Sequence, residues 1–94
     1  MHIGVCTVYL SIPESQSLKD KRQVIKSLID RIKNRFNVAV AEVDALDTHQ
    51  RSVIGLVSIS NSPQHLNQVL SRTIEFIENM HLAVLLDYEM DLSY

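Results

Sequence analysis

Basic side chains are concentrated in one stretch of the sequence, at a spacing suited to binding phosphate groups. Seven of the nine Lys and Arg residues lie between Ser17 and Phe36. On a helix with about 100° per residue, four of them fall within an arc of about 60°. These four, called the basic ridge below, are Lys19, Arg22, Lys26 and Lys33. The row suits RNA phosphates at successive helical turns, although charged runs are usually solvated helix faces.

Lys21 belongs to the same stretch but points in another direction. On the helix it falls within the apolar arc, where a long side chain can extend past its neighbours to a polar partner or hold an anion. The helix start at Ser17 also presents free backbone N–H groups, which favour anions. The predicted nucleic-acid-binding residues are therefore Lys19, Lys21, Arg22, Lys26 and Lys33.

Acidic side chains cluster in and near a predicted hairpin loop. Their oxygens are the ligands that hard cations prefer, but polar residues in turns usually bind water or backbone groups. The cluster consists of Glu42, Asp44, Asp47 and His49. Cys6 is the only cysteine, which excludes an internal disulfide and a cysteine-rich metal site, and its apolar neighbours predict a buried, unreactive thiol. We expect no bound metal and no cofactor.

The link between the first predicted strand and helix, residues 12–17, lacks the groups that catalysis on this scaffold would need. It contains neither the glycine and arginine of a phosphate-cradling loop nor a C-x-x-C metal motif. The predicted strands also lack the paired aromatic residues that stack RNA bases. A non-enzymatic protein without catalytic residues is therefore expected. The alternatives are a domain that binds a small ligand or anion, or acts on one, through the helix start or the hairpin acids, and a purely structural homodimer module.

Hydrophobic periodicity predicts six elements that would position these residues. Alternation at period two indicates strands, and steps of three and four residues indicate helices. The predicted strands are 2–12, 38–43, 52–60 and 84–92, and the predicted helices are 17–36 and 62–80. This β-α-β-β-α-β order predicts one α+β domain over residues 1–94, a ferredoxin-like split βαβ sandwich with a four-stranded antiparallel sheet and both helices on one face.

Such a sandwich leaves one face of its sheet uncovered. The strand pattern predicts that Ala39 and Ala41 face the helices, and that Val38 and Val40 lie on the open face. In the third strand, either Val53, Gly55, Val57 and Ile59 or the alternating serine set Ser52, Ser58 and Ser60 faces outward. An exposed apolar face favours a two-fold homodimer. The predicted interface comprises Val5, Tyr9, Val38 and Val40, with Thr7 beside them.

Composition limits the remaining possibilities. Apolar residues make up 46% of the 94, with only two Gly and two Pro, which is typical of a folded globular chain. The net charge of −2 conceals a division between the basic first helix and an acidic remainder. No secretory signal or membrane-spanning stretch is evident. We therefore expect a soluble cytoplasmic protein that does not enter a membrane.

Several short motifs together resemble the YlxP-like family, a bacterial domain of unknown function. They are SLKDKR at 17–22, RFNV at 35–38, AEV at 41–43 and VIG at 53–55. The resemblance covers essentially the whole chain and implies a ferredoxin-like fold. It also implies an association with RNA or the ribosome, since the family's genes tend to lie among those for translation and ribosome maturation. Members often have a tryptophan in the hairpin loop where this chain has His49.

Overall fold

The computed structural model describes residues 1–92, which form the six predicted elements in the predicted order. The strands are β1 (His2–Ser11), β2 (Ala39–Asp44), β3 (Arg51–Ser60) and β4 (Val84–Asp91). The helices are α1 (Leu18–Arg35) and α2 (Pro63–Met80). The element bounds differ from the sequence prediction by no more than one residue.

The four strands form one antiparallel sheet in the order β2-β3-β1-β4. Strands β1 and β2 follow each other in sequence but are not neighbours in the sheet, and the same is true of β3 and β4. Helix α1 makes the first of these crossover connections and α2 makes the second. This is the predicted ferredoxin-like α+β fold. The arrangement places the β1–α1 link, the β2–β3 hairpin and the α2–β4 link at the same end of the sheet.

The core lies between the helices and one face of the sheet. Even-numbered residues of β1 and β3 point toward it, so that Cys6, Val8 and Leu56 have no exposed surface. At Gly4 the sheet and α2 approach so closely that an added Cβ would lie 2.7 Å from Leu70 Cδ1. Glycine at this position therefore permits the close packing of α2 on β1.

The predicted facing of β2 is wrong. Val40 lies directly opposite Leu56, and residues opposite each other in an antiparallel pair share one face of the sheet. Because Leu56 is buried under the helices, Val40 points inward, and Val38 also packs against the core. Ala39 and Ala41 are exposed instead. Burying the larger valines removes more apolar surface from water than burying alanines, which explains the observed choice.

The open face of the sheet is apolar in its middle. Val5, Thr7 and Tyr9 of β1 lie opposite Val57, Gly55 and Val53 of β3, so the predicted valine set rather than the serine set faces outward. Along the β4 edge, the same face carries the exposed carboxylates of Asp87, Glu89 and Asp91. The open face therefore has an apolar centre with an acidic border along β4, and one further exposed carboxylate, Asp44, lies opposite Val53 on the β2 side.

Candidate nucleic-acid interface

The first turn of α1 satisfies its own backbone donors. Ser17 Oγ accepts a hydrogen bond from the Asp20 N–H at 3.1 Å, and Asp20 Oδ2 accepts one from the Gln16 N–H at 3.1 Å. This reciprocal cap places a carboxylate where an anion would bind. The cap specifies where the helix begins and disfavours an anion site there.

The basic ridge lies on an exposed flank of α1. All four of its cations are exposed, and none forms an ion pair with another residue of the described range 1–92. From Lys19 to Lys33 the ridge extends about 21 Å, at 1.5 Å per residue. Four unpaired cations over this length can contact several phosphates of one nucleic-acid strand.

Lys21 is not part of this surface, and its predicted role in nucleic-acid binding is wrong. Its side chain has no exposed surface. Lys21 Nζ donates to the carbonyl oxygens of Ala45 at 2.7 Å, Leu46 at 3.3 Å and Arg51 at 3.3 Å. It also pairs with Glu42 Oε2 at 3.1 Å. These partners use the ammonium group completely, so Lys21 anchors the β2–β3 hairpin to α1.

Glu42 completes this buried network. Its Oε2 also accepts a hydrogen bond from Ser52 Oγ at 2.5 Å, and its side chain is 15% exposed. The adjoining loop bends at Ala45, whose φ of 58° is in the left-handed region. Its carbonyl is thereby available to Lys21, while the Ala45 N–H donates to Asp44 Oδ1. The sequence signal for this network was the lysine in an apolar arc, whereas the inward direction of Glu42 became evident only from the observed facing of β2.

The hairpin acids do not converge on a shared site. Glu42 is committed to Lys21 and Ser52, whereas Asp44, Asp47 and His49 are exposed. Within residues 1–92, no three His, Cys, Asp or Glu side chains are placed to hold a metal ion.

The remaining cations of α1 lie away from the ridge. The Arg35 guanidinium stacks 5.0 Å from the ring centroid of Phe76, which meets Phe36 edge-on at 5.4 Å. Arg35 therefore joins the two helices through packing and cation–π attraction. Arg31 is exposed on the flank opposite the ridge and offers a matched control for it.

Two groups near the sheet centre have raised pKa values. Burial raises the pKa of the Cys6 thiol from 9.0 to about 11, so the thiol is protonated at neutral pH. On the open face, the negative charge of Glu89 raises the pKa of Tyr9, with smaller contributions from burial and from Asp87. The carboxylates around Tyr9 therefore come from both sides of the open face, Glu89 and Asp87 on β4 and Asp44 on β2.

The Cys6 shift predicts a loss of stability in alkaline solution. Because the folded pKa lies above the unfolded one, the unfolded state releases its proton first as the pH rises, and stability falls between pH 9 and 11. The loss should reach about 2 to 3 kcal/mol, because each pKa unit corresponds to about 1.36 kcal/mol. Urea unfolding of the wild type and Cys6→Ala across this range measures it. Equal pH slopes for the two proteins would contradict the assignment.

Together, the fold and the ridge define a small ferredoxin-like α+β protein with a cationic helix flank. A family model described as "Protein of unknown function (DUF503)" matches residues 3–90. The chain is 35% identical over 77 residues to "Uncharacterized protein YlxP" of Bacillus subtilis (strain 168), across 82% of this chain and 84% of that protein. The chain therefore belongs to the DUF503 family, and the resemblance seen in its motifs is confirmed.

Neither helix in the described range combines the length and apolar character needed to cross a membrane.

Proposed function

We propose that this chain is a non-enzymatic cytoplasmic protein that binds RNA, in particular ribosomal RNA, through the basic ridge. The observation that carries the proposal is the exposure of four cations on one flank that have no ion-pair partner among residues 1–92. Cations already paired within a protein gain less from a phosphate, whereas unpaired ones release condensed counterions when they bind RNA. Lys21 is excluded from this set because it is buried.

The charge distribution also favours one side of the protein for the approach of RNA. The acidic border of the open face repels phosphate, while the ridge on the helical layer attracts it. Screening limits both fields to about 8 Å at physiological salt, so the local sign decides the contact rather than the net charge of −2. RNA should therefore meet the helical layer at α1.

Salt dependence tests this proposal. Binding to ribosomal RNA fragments should weaken as salt is added. A plot of log Kd against the logarithm of the salt concentration should be linear, with a slope of about 0.7 to 0.9 for each phosphate contact. Four ridge contacts therefore predict a slope of about three. Replacing Lys19, Arg22 and Lys26 with Ala should reduce the slope by about two and weaken binding at low salt.

A control variant separates ridge contacts from net charge. Arg31, Arg51 and Arg72 are exposed and lie outside the ridge, so replacing all three with Ala changes the net charge equally. This control should retain most of the wild-type slope. A flat wild-type slope, no binding at micromolar concentration, or equal losses in both triple variants would overturn the proposal.

We further propose that a second copy of the chain covers the open sheet face. Val57 and Ile59 are 37% and 58% exposed there, beside the small residues Ala39 and Ala41, and the exposed side chain of Val43 lies over Gly55. The acidic border follows β4, and Asp44 is a single further acid on the β2 side. A two-fold stack of β3 on β3 would therefore hold the acidic borders of the two copies at opposite edges.

This face differs from the interface predicted from sequence, because Val38 and Val40 belong to the core. Val5 and Tyr9 remain candidate interface residues, and β3 supplies the others. Sedimentation equilibrium at tens of micromolar should give a mass near twice the 10.7 kDa of the chain. A mass of one chain at that concentration would overturn the dimer and leave the RNA proposal unaffected.

A further inference from the structure

A cleft of about 580 Å³ opens at the end of the sheet where β1 ends and β4 begins. Its floor is apolar and consists of Ile12, Val24, Leu82 and Leu85. The volume lies within the range of about 300 to 1,000 Å³ that is typical of small-molecule sites. No ridge residue lines the cleft, so it is separate from the proposed RNA surface.

The rim of this cleft is negatively charged. Glu14, Asp20 and Glu78 lie on it, and no Lys or Arg among the described residues does. The C-terminal end of α2 also borders the cleft, and its last turn contains no basic residue to offset the negative end of the helix dipole. The start of α1 borders the same cleft, and there the Asp20 carboxylate offsets the positive end of the helix dipole. Three carboxylates without a Lys or Arg among the described lining residues therefore disfavour anions, and a cation with an apolar part is complementary to both rim and floor.

The distribution of the carboxylates selects the kind of cation. Asp20 Oδ2 already accepts a hydrogen bond from the Gln16 N–H, whereas Glu14 and Glu78 have exposed side chains on different elements. Within residues 1–92, no three such groups converge closely enough to hold one metal ion. Separated carboxylates above an apolar floor fit an extended molecule with more than one positive group.

We propose that this cleft binds an aliphatic polyamine. Its methylene groups lie on the apolar floor, and its ammonium groups donate charge-assisted hydrogen bonds to Glu14 and Glu78. Ala83 and His81 of the α2–β4 link form one wall of the cleft. His81 has a left-handed φ of 55°, which turns the chain away from the axis of α2. The proposal concerns a ligand site and does not depend on RNA binding.

Calorimetry on RNA-free protein, with spermidine as the probe, tests the site. Spermidine should bind the wild type and raise its melting temperature, because a ligand specific to the folded state stabilises it. The variant Glu14→Gln/Glu78→Gln should lose affinity by about tenfold or more, given the strength of hydrogen bonds to charged groups. Asp87→Asn/Glu89→Gln removes two acids outside the cleft and should bind like the wild type.

Three outcomes would overturn the polyamine site. The first is that spermidine does not bind at millimolar concentration. The second is that both double variants weaken spermidine binding equally, which would indicate diffuse charge attraction. The third is an equal thermal shift with magnesium chloride at matched ionic strength, which would indicate simple screening. Loss of the ridge cations should leave spermidine binding unchanged, so this proposal and the RNA proposal can fail separately.

Discussion

Replacing Lys21 with Met should lower the free energy of unfolding by about 3 to 5 kcal/mol, the usual cost of breaking a buried ion pair. Met preserves much of the side-chain volume but removes the ammonium group. Glu42 is then left largely buried without its counter-charge, and the carbonyls of Ala45, Leu46 and Arg51 lose their shared donor. Urea unfolding with a comparison of m-values measures the loss.

A double variant identifies the cause of this loss. In Lys21→Met/Glu42→Gln the unpaired charge is absent, and the Gln side-chain oxygen can still accept from Ser52. The double variant should therefore be more stable than Lys21→Met alone, because much of the single-variant cost is an uncompensated charge. Lys26→Met on the exposed ridge should change stability by no more than about 0.5 kcal/mol. A similar small change for Lys21→Met would contradict the anchoring role.

The buried position of Lys21 also separates stability from binding. Under conditions where Lys21→Met remains folded, its RNA affinity and salt slope should match the wild type, because this side chain has no exposed surface. The ridge variants should show the reverse, with weakened binding and near-normal stability. If the ridge binds RNA as proposed, charge on one helix serves two purposes that depend on side-chain direction.

Replacing Ile59 with Glu should convert the proposed dimer to a monomer. The two-fold symmetry places the new charge in the interface twice, and burying an unpaired carboxylate in an apolar interface is costly. The dissociation constant of the dimer should therefore rise on the order of a hundredfold. Val57→Glu should act similarly, since both side chains lie on the open face. Sedimentation across a concentration series measures the effect.

The matched control is Leu46→Glu in the β2–β3 hairpin. Leu46 is 56% exposed and Ile59 is 58% exposed, but Leu46 lies outside the sheet face. The control should retain the wild-type mass, while Ile59→Glu should not. Equal behaviour of the two variants would show that the open face does not mediate association.

Local pattern was sufficient to predict the elements and their order. The Ser17 cap, the Ser62-Pro63 helix start and the period-two alternation of β1 are short-range signals, which depend on neighbours within a few residues. The cationic flank of α1 followed from helical geometry alone, because residues at steps of three, four and seven share a side of any helix. The same geometry placed Lys21 apart from the ridge.

Tertiary structure decided which face of β2 is buried and what Lys21 binds. Alternating Val and Ala residues are compatible with either facing, and the choice depended on the pairing of Val40 with Leu56, sixteen residues further along the chain. The partners of Lys21 lie more than twenty residues away and meet it only after the hairpin folds beside α1. The cleft proposed as a polyamine site likewise joins two stretches that are far apart in sequence, residues 12–24 and 78–85. Sequence periodicity determined the direction of each side chain relative to its neighbours on the same helix or strand. Long-range pairing determined which charges remained at the surface.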